Sequence, residues 1–182
     1  NLFMKLDISL YIPVYNGEST IESVLKSVLN LNPGPKEIIV VNDGSSDKTK
    51  EILESYKNQI NIINNSGNMG LAHSRNVGIS SSKHEIIAAL DADVEVEESW
   101  LKHLYENKKK NNSSICGATL IEKYKDKNIY NFWRHIHATQ NNYGQEDISN
   151  LDRPIAGSNT LLSKSDWKKV GGYEIKYKTN GE

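Results

Sequence analysis

Two carboxylates at the end of an apolar run are the residues of this chain best suited to chemistry. Asp91 and Asp93 follow the apolar residues 87–90 and are separated only by Ala92. Residues two apart on an extended chain point to the same side, so the spacing predicts two neighbouring carboxylates at the end of a buried strand. Such a pair requires that one group be protonated or that a cation lie between them. Oxygen ligands favour Mg²⁺ or Mn²⁺, and such an ion can hold a substrate diphosphate while it retains several waters.

The acidic pair must follow a strand that ends at a sheet edge. The surrounding sequence alternates between strand and helix signals. Four segments rich in apolar and β-branched residues predict strands at residues 7–14, 37–41, 59–64 and 85–90. The second of these segments is apolar almost throughout, as expected for a parallel strand that is covered on both faces.

Helical signals fill the intervals between these strands. The apolar spacing predicts a first helix that opens in a capping box formed by Ser19 and Glu22 and stops at residues 32–35. Ser46 or Asp47 is expected to cap the second helix. The remaining predicted elements are a helix at 71–81, a helix that opens at 97–100 and ends in the lysines 108–110, a strand at 114–124, a strand at 154–162 and a short helix at 163–170.

This alternation predicts an α/β fold in which helices cover both faces of a parallel sheet. In such sheets, ligands bind outside the carboxyl ends of the strands. Tyr15, Asp43 and Asp91 each follow an apolar strand closely, so all three are expected at the same edge. The sequence therefore predicts one ligand site on that edge.

Bulk composition narrows the remaining possibilities. The chain of 182 residues has a formal net charge of −1, with acids and bases interspersed, so nothing indicates a nucleic-acid surface. Cys116 is the single cysteine, which excludes an internal disulfide and fits a reducing compartment. No apolar run approaches the roughly 20 residues that span a bilayer. We expect one domain over residues 1–182, truncated at its C-terminus, from a cytoplasmic protein that could act at a membrane face and whose longer parent could carry a membrane segment.

Six short motifs occur in order along the chain. They are PVYNG at 13–17, VNDGSSD at 41–47, NMGLAHSRN at 68–76, LDAD at 90–93, GSN at 157–159 and VGGY at 170–173. Together they resemble the family 2 glycosyltransferases, which are inverting enzymes with the nucleotide-diphosphosugar (GT-A) fold. Each motif alone is weak, whereas six in this order are specific, and the resemblance covers almost the whole chain. It implies a Rossmann-like three-layer sandwich with a mostly parallel central sheet.

The resemblance also implies roles for individual residues. Tyr15, Glu18 and Asp43 would contact the nucleobase and ribose of a nucleotide-diphosphosugar donor, with UDP the commonest nucleotide. Asp91 would approach the ribose or the sugar, and Asp93 would hold the Mn²⁺ or Mg²⁺ that bridges the two phosphates. The other substrate-binding residues that it implies are Pro13, Arg75, Gly157, Ser158 and Asn159.

The catalytic residue implied by the resemblance lies at the end of the chain. In the family, the general base is usually an Asp in a Glu-Asp pair beyond the Gly-Gly-Tyr element. Glu182 matches the first member of that pair and is the last residue of the sequence. The implied reaction transfers a sugar, with inversion, to a hydroxyl of a carbohydrate or lipid-linked acceptor. Without the base, the chain would be a donor-binding module that is catalytically incomplete.

Simpler interpretations of the same residues remain open. Asp91 and Asp93 would also fit a solvated strand end, or a phosphatase in which the first Asp is the nucleophile, although that pair normally follows the first strand of its sheet. Asp43 with Gly44 is a common turn signal. Arg75 on a helix is by default a solvated charge.

The segment 125–144 has no single interpretation. It is rich in aromatic residues and would fit a helix, a flap or a partner surface. His135 and His137 are spaced two apart, as metal ligands on an extended chain could be, but exposed histidines among aromatic residues are the commoner case.

Overall fold

The computed structural model describes residues 5–118, 123, 126–134 and 157–176. Its elements in chain order are β1 (Lys5–Val14), α1 (Ile21–Leu29), β2 (Gly34–Asn42), α2 (Thr49–Ser55), β3 (Asn61–Asn64), α3 (Leu71–Ser81), β4 (Ile86–Ala89), α4 (Trp100–Asn111), β5 (Ile115–Gly117), α5 (Ile129–Arg134), β6 (Thr160–Ser163) and α6 (Lys164–Lys169).

The described strands form one sheet in the order β3-β2-β1-β4-β6-β5. β1 pairs in parallel with β2 and with β4, and β2 pairs in parallel with β3. β6 runs antiparallel to both of its neighbours, β4 and β5. This arrangement confirms the predicted α/β fold with a mostly parallel central sheet.

The side chains of β1 alternate between two hydrophobic cores, one on each face of the sheet. Ile8, Leu10 and Ile12 belong to the larger core, which α1 and α4 cover. Tyr11 belongs to the smaller core on the other face, where it packs against Gly78 of α3. Helices therefore cover both faces of the sheet. The strand that was predicted to be covered on both faces is β2, and it is, because Ile38 and Ile39 belong to opposite cores.

The predicted start of the first helix is wrong. Thr20 occupies the N-cap of α1, and the N–H groups of Thr20 and Ile21 donate to the Gly17 carbonyl. The predicted Ser19 capping box therefore does not form. α2 begins at Thr49, one residue later than a cap at Asp47 would give, although the Asp47 carboxylate still accepts a hydrogen bond from the Thr49 N–H.

The predicted strands at 59–64 and 114–124 are both shorter than expected. The N–H groups of Gln59 and Ile60 bond to the Tyr56 carbonyl, and this turn delays the start of β3 to Asn61. β5 ends at Gly117, and residues 119–122 of the predicted strand lie outside the described part of the chain.

The aromatic segment contains a short helix, α5, at residues 129–134. α5 exposes Tyr130 at 67% and Trp133 at 57% of their surface, whereas His135 and His137 lie outside the described residues. No helix within the described ranges combines the length and the hydropathy needed to cross a membrane.

Glu37 is the centre of a buried polar network between β1 and β2. The Ser9 hydroxyl donates to its Oε2 over 2.5 Å, and the Lys83 N–H donates to the same oxygen over 2.8 Å. The Asn61 amide donates to its Oε1 over 3.3 Å. Burial acts to raise the pKa of Glu37, but the hydrogen bonds from Ser9 and Lys83 outweigh it and hold that pKa below the usual glutamate value.

This network predicts a specific acid sensitivity. Because the pKa of Glu37 is lower in the folded state, its stabilising contribution is fully present above the unfolded-state pKa of about 4.3 and is lost as the pH falls through the folded-state pKa. We expect Glu37→Gln to lower the free energy of unfolding at pH 7 by about 1–3 kcal/mol and to lose less stability than the wild type on acidification. Urea denaturation at pH 7, 5 and 3.5 measures both effects, with exposed Glu54→Gln as the control. The same acid sensitivity in Glu37→Gln and wild type would contradict the assignment.

Candidate active site

The sheet brings four connecting segments to one edge. β1 and β2 end in register, with Val14 paired to Asn42, and β4 ends beside β1 at Ala89. β6 runs in the opposite direction and begins at this edge, with Thr160 paired to Ala89. The segments that follow β1, β2 and β4 and the segment that precedes β6 therefore meet at the carboxyl edge of the parallel strands. This is the edge on which the sequence predicted a ligand site.

The loops that follow β1 and β2 are joined by hydrogen bonds. The Asn16 N–H donates to the Ser45 hydroxyl over 3.0 Å, and the Ser46 N–H donates back to the Asn16 side-chain oxygen over 2.8 Å. The Gly17 N–H donates to the Thr49 hydroxyl over 2.8 Å. These hydrogen bonds join the loop after β1 to the loop after β2, and we call the two joined loops the rim.

Glu18 belongs to the same network. Its Oε2 accepts a hydrogen bond from the Lys48 N–H, and its own N–H donates to Asp47 Oδ2, both over 3.0 Å. Burial acts to raise the pKa of Asp47, but hydrogen bonds from Thr49 and from the Glu18 N–H lower it below the usual aspartate value. Asp47 is therefore a charged structural group of the rim, and a contact between Glu18 and a nucleotide stays a prediction.

Tyr15 and Pro13 occupy the end of β1 in different ways. Tyr15 directly follows the strand and is 50% exposed, so its ring is open to a ligand at the edge. Pro13 is buried within the strand, paired to Val41. Direct contact with a donor remains predicted for both residues.

Asp43 is buried at the end of β2, with 4% of its surface exposed. Its Oδ1 accepts hydrogen bonds from the Asn65 amide at 2.6 Å and the Met69 N–H at 3.0 Å, and its Oδ2 accepts one from the Gly70 N–H at 2.9 Å. The carboxylate thus anchors the loop that leads into α3. The sequence marked Asp43 as a turn or a ligand contact but did not indicate this anchoring role.

Gly44 and Gly70 allow that loop to approach. Gly44 has φ +72°, and a Cβ there would lie 2.5 Å from the Gly67 carbonyl carbon. Gly70, at the N-cap of α3, has φ +92°, in the range that favours glycine. An L residue with a side chain would be strained at either position.

Asp91 and Asp93 lie in a turn rather than on an extended strand. β4 ends at Ala89, and the Val94 N–H bonds back to the Asp91 carbonyl over 3.2 Å. The prediction that both side chains project from one face of a strand is therefore wrong, because the chain bends before it reaches them. Asp93 is exposed, while the Asp91 side chain is 32% exposed and turned toward Arg75.

Arg75 was expected by default to be a solvated charge on a helix, but the structure buries its side chain. It is 1% exposed, and its Nη2 lies 3.1 Å from Asp91 Oδ1. A Cβ on Gly157 would lie 1.9 Å from Arg75 Nη1, so a larger residue there would displace the guanidinium from this position. The segment before β6 therefore passes directly over the Arg75 side chain. The contact with Asp91 places Arg75 beneath the turn of the acidic pair.

Ser158 and Asn159 lie at the carboxyl edge of the sheet, directly before β6, and both are buried. Asn159 Oδ1 accepts a hydrogen bond from the Trp100 indole N–H at 2.6 Å, and its amide donates to the Ala118 carbonyl at 3.0 Å. The Asn159 side chain is therefore engaged by the scaffold, and its predicted place on the acceptor side stays a prediction. Glu182 lies outside the described residues.

The acidic turn suits a divalent cation that is shared with a substrate. The carboxylate of Asp93 accepts no hydrogen bond and forms no ion pair with any residue that the structure describes. The described residues contain no group of three or more His, Cys, Asp or Glu side chains that could enclose a metal ion. A cation at Asp93 would therefore take its other ligands from water and phosphate oxygens, as Mg²⁺ characteristically does.

The mostly parallel α/β sheet, with the acidic turn at its carboxyl edge, agrees with the fold that the resemblance implied. The chain belongs to glycosyl transferase family 2, whose family model matches residues 9–169. This membership disfavours the Asp-nucleophile phosphatase.

Characterised sequences give two informative relatives. The chain is 36% identical over 113 residues to the cholesterol galactosyltransferase of Borreliella burgdorferi, a match that covers 61% of this chain and 32% of that protein. It is 37% identical over 106 residues to a poly-β-1,6-N-acetyl-D-glucosamine synthase of Staphylococcus epidermidis, covering 57% of this chain and 26% of that protein. The chain thus matches about a third or less of the length of these relatives.

Solved structures share the fold at lower identity. TarS of S. aureus, in complex with UDP, has a TM-score of 0.72 and 19% identity, over 96% of this chain and 52% of that chain. A mannosyltransferase from Pyrobaculum calidifontis, in complex with GDP-Man and Mn²⁺, has a TM-score of 0.69 and 15% identity, over 93% of this chain and 48% of that chain.

Proposed function

We propose that this chain is the donor-binding and catalytic domain of an inverting glycosyltransferase that uses a nucleotide-diphosphosugar and a divalent cation. The observation that carries the proposal is the meeting of Tyr15, Asp43 and the 91–93 turn at one sheet edge. Within that edge, the exposed carboxylate of Asp93 would hold Mn²⁺ or Mg²⁺ against the donor diphosphate. The exposed ring of Tyr15 would stack on the nucleobase.

The chemistry would be a single in-line displacement. A base removes a proton from an acceptor hydroxyl, whose oxygen attacks the anomeric carbon while the bond to the diphosphate breaks on the opposite face. A bound cation would stabilise the negative charge that develops on the leaving diphosphate. The buried Arg75 would fix the Asp91 side of the donor site, since its guanidinium is held between Asp91 and Gly157.

The names of the relatives support the transfer of a sugar from a donor to an acceptor, and the acceptors that they imply differ. Their names include transfer of galactose to cholesterol and synthesis of a polymer of N-acetylglucosamine. Structural neighbours were solved with UDP, with UDP-GlcNAc and with GDP-Man and Mn²⁺. We therefore propose a hexosyl- or hexosaminyltransferase with a UDP-sugar donor and a carbohydrate or lipid-linked acceptor, acting in the cytoplasm or at its membrane face.

A nucleotide panel tests the proposed donor site. Thermal and chemical denaturation would be measured with UDP, GDP and dTDP, each with Mn²⁺, with Mg²⁺ and with EDTA. At a free ligand concentration a hundredfold above the dissociation constant, the preferred nucleotide should add about 2.7 kcal/mol to the free energy of unfolding. We expect UDP with Mn²⁺ to give the largest gain. No stabilisation by any of the three nucleotides would contradict the proposal.

A further inference from the structure

The side chain of Asn76, in α3, binds the backbone of Tyr173, which lies 97 positions further along the chain. Its side-chain Nδ2 donates to the Tyr173 carbonyl over 2.8 Å, and the Tyr173 N–H donates to its Oδ1 over 2.9 Å. A single planar amide thus pairs with both backbone polar groups of one residue. Only an amide side chain offers a donor and an acceptor in this arrangement, so a carboxylate of the same shape could not replace it.

Two glycines shape the turn that Asn76 holds. Gly171 has φ +87° and Gly172 has φ +80°, both in the region that L side chains rarely adopt. A Cβ on Gly172 would lie 3.0 Å from Asn76 Oδ1 and 3.0 Å from Trp167 Cζ2. The turn therefore fits closely between α3 and α6, and its backbone conformation brings Tyr173 onto Asn76.

The preceding residue of α3 connects the same turn to the candidate active site. The Arg75 guanidinium lies 5.5 Å from the centroid of the Tyr173 ring, a cation–π distance. The same guanidinium donates to Asp91 and lies under Gly157. One buried cation therefore contacts the donor-side turn, the segment before β6 and the turn that follows α6.

We propose that Asn76 is a positioning residue for the acceptor side of the reaction. Its side chain fixes the turn at 171–173 through Tyr173. Arg75 contacts both the Tyr173 ring and Asp91, and so links this turn to the acidic turn. The chain that follows Tyr173 therefore begins next to the proposed donor site. Both side-chain bonds of Asn76 go to Tyr173 rather than to Asp91. We therefore expect the loss of Asn76 to lower turnover more than donor affinity. The inference rests on the proposed function, since the acceptor side has meaning only for a transferase.

The test compares Asn76→Asp with two other variants. Asn76→Asp keeps the shape of the side chain but places a carboxylate oxygen against the Tyr173 carbonyl. Gly172→Ala disturbs the same contact from the other side. Asn58→Asp introduces the same chemical change at an exposed position and is the matched control. Three quantities are measured for each: amide hydrogen exchange of residues 170–176 without ligand, the Kd for UDP with Mn²⁺, and kcat for donor turnover.

We expect amide exchange in residues 170–176 to become about tenfold faster or more in Asn76→Asp and in Gly172→Ala, with no change in Asn58→Asp. The Kd for UDP with Mn²⁺ should stay within about twofold of the wild type, while kcat falls about 10- to 100-fold, because a small displacement of a reacting group costs rate rather than binding. Unchanged exchange in Asn76→Asp would overturn the proposal, as would a loss of nucleotide affinity as large as the loss of kcat. A wild-type protein that binds no nucleotide would refute the proposed function instead, and the exchange data would still decide whether Asn76 fixes the turn.

Discussion

Replacing Asp93 with alanine should abolish the metal-dependent part of nucleotide binding and leave the fold intact. Asp93 is exposed and makes no hydrogen bond or ion pair with the described residues, so its removal should change the free energy of unfolding by no more than about 0.5 kcal/mol. The stabilisation of about 2.7 kcal/mol expected from UDP with Mn²⁺ at a hundredfold excess over Kd should fall to the value measured in EDTA. We expect this contrast because the carboxylate faces solvent in the free protein and would face a cation in the proposed complex.

The control for this experiment is Glu97→Ala. Glu97 is also exposed and lies four residues beyond Asp93, ahead of α4, but outside the turn. Its removal takes away the same charge and should leave the Mn²⁺-dependent gain unchanged. If both variants reduce that gain equally, general electrostatic attraction rather than ligation by Asp93 is responsible. If neither variant reduces it, the cation binds elsewhere.

Asp43→Ala should instead release the loop that leads into α3. Three donors point at the buried carboxylate, namely the Asn65 amide and the N–H groups of Met69 and Gly70. The alanine would remove this acceptor from all three, although the Asn65 amide keeps a bond to Ser74 and the Gly70 N–H keeps a bond to Asn68. Hydrogen bonds to a charged group contribute about 1.5–3 kcal/mol each, and water can replace part of that when the loop opens. We expect a loss of about 3 kcal/mol or more in the free energy of unfolding by urea denaturation, together with loss of UDP binding.

Two further variants sharpen this prediction. Asp43→Asn keeps the shape and one acceptor but turns an N–H₂ group toward a backbone donor, so it should lose most of the same stability. Asp126→Ala removes an exposed carboxylate and should change stability by less than about 0.5 kcal/mol. A loss below about 1 kcal/mol for Asp43→Ala would mean that the carboxylate does not anchor the loop before α3.

The sequence predicted the strands of the sheet centre and their common edge because local patterns determine them. The apolar residues of β1 and β2 fit strands that are covered on both faces, and Ile12 and Tyr11 do pack on opposite faces. Polar residues that directly follow such strands must lie at the carboxyl edge. That is why the neighbourhood of Tyr15, Asp43 and Asp91 could be derived without coordinates.

Features that depend on distant partners could not be derived in this way. The burial of Arg75 requires Gly157, which comes from another part of the chain, so the local helical pattern gave only a solvated charge. The antiparallel direction of β6 could not be predicted either, because an apolar segment indicates a strand but not the direction in which it runs. The turn at residues 91–94 was missed because the pattern cannot tell where a short strand stops.

The most direct test of the donor site is a crystal structure of the chain with UDP and Mn²⁺, with anomalous scattering recorded at the manganese edge. The account predicts one manganese peak within coordinating distance of an Asp93 oxygen, bridged to both phosphates, with the uridine lying between Tyr15 and the loop anchored by Asp43. A manganese peak away from residues 91–93, or a nucleotide bound without contact to Tyr15, Asp43 or Asp93, would contradict it.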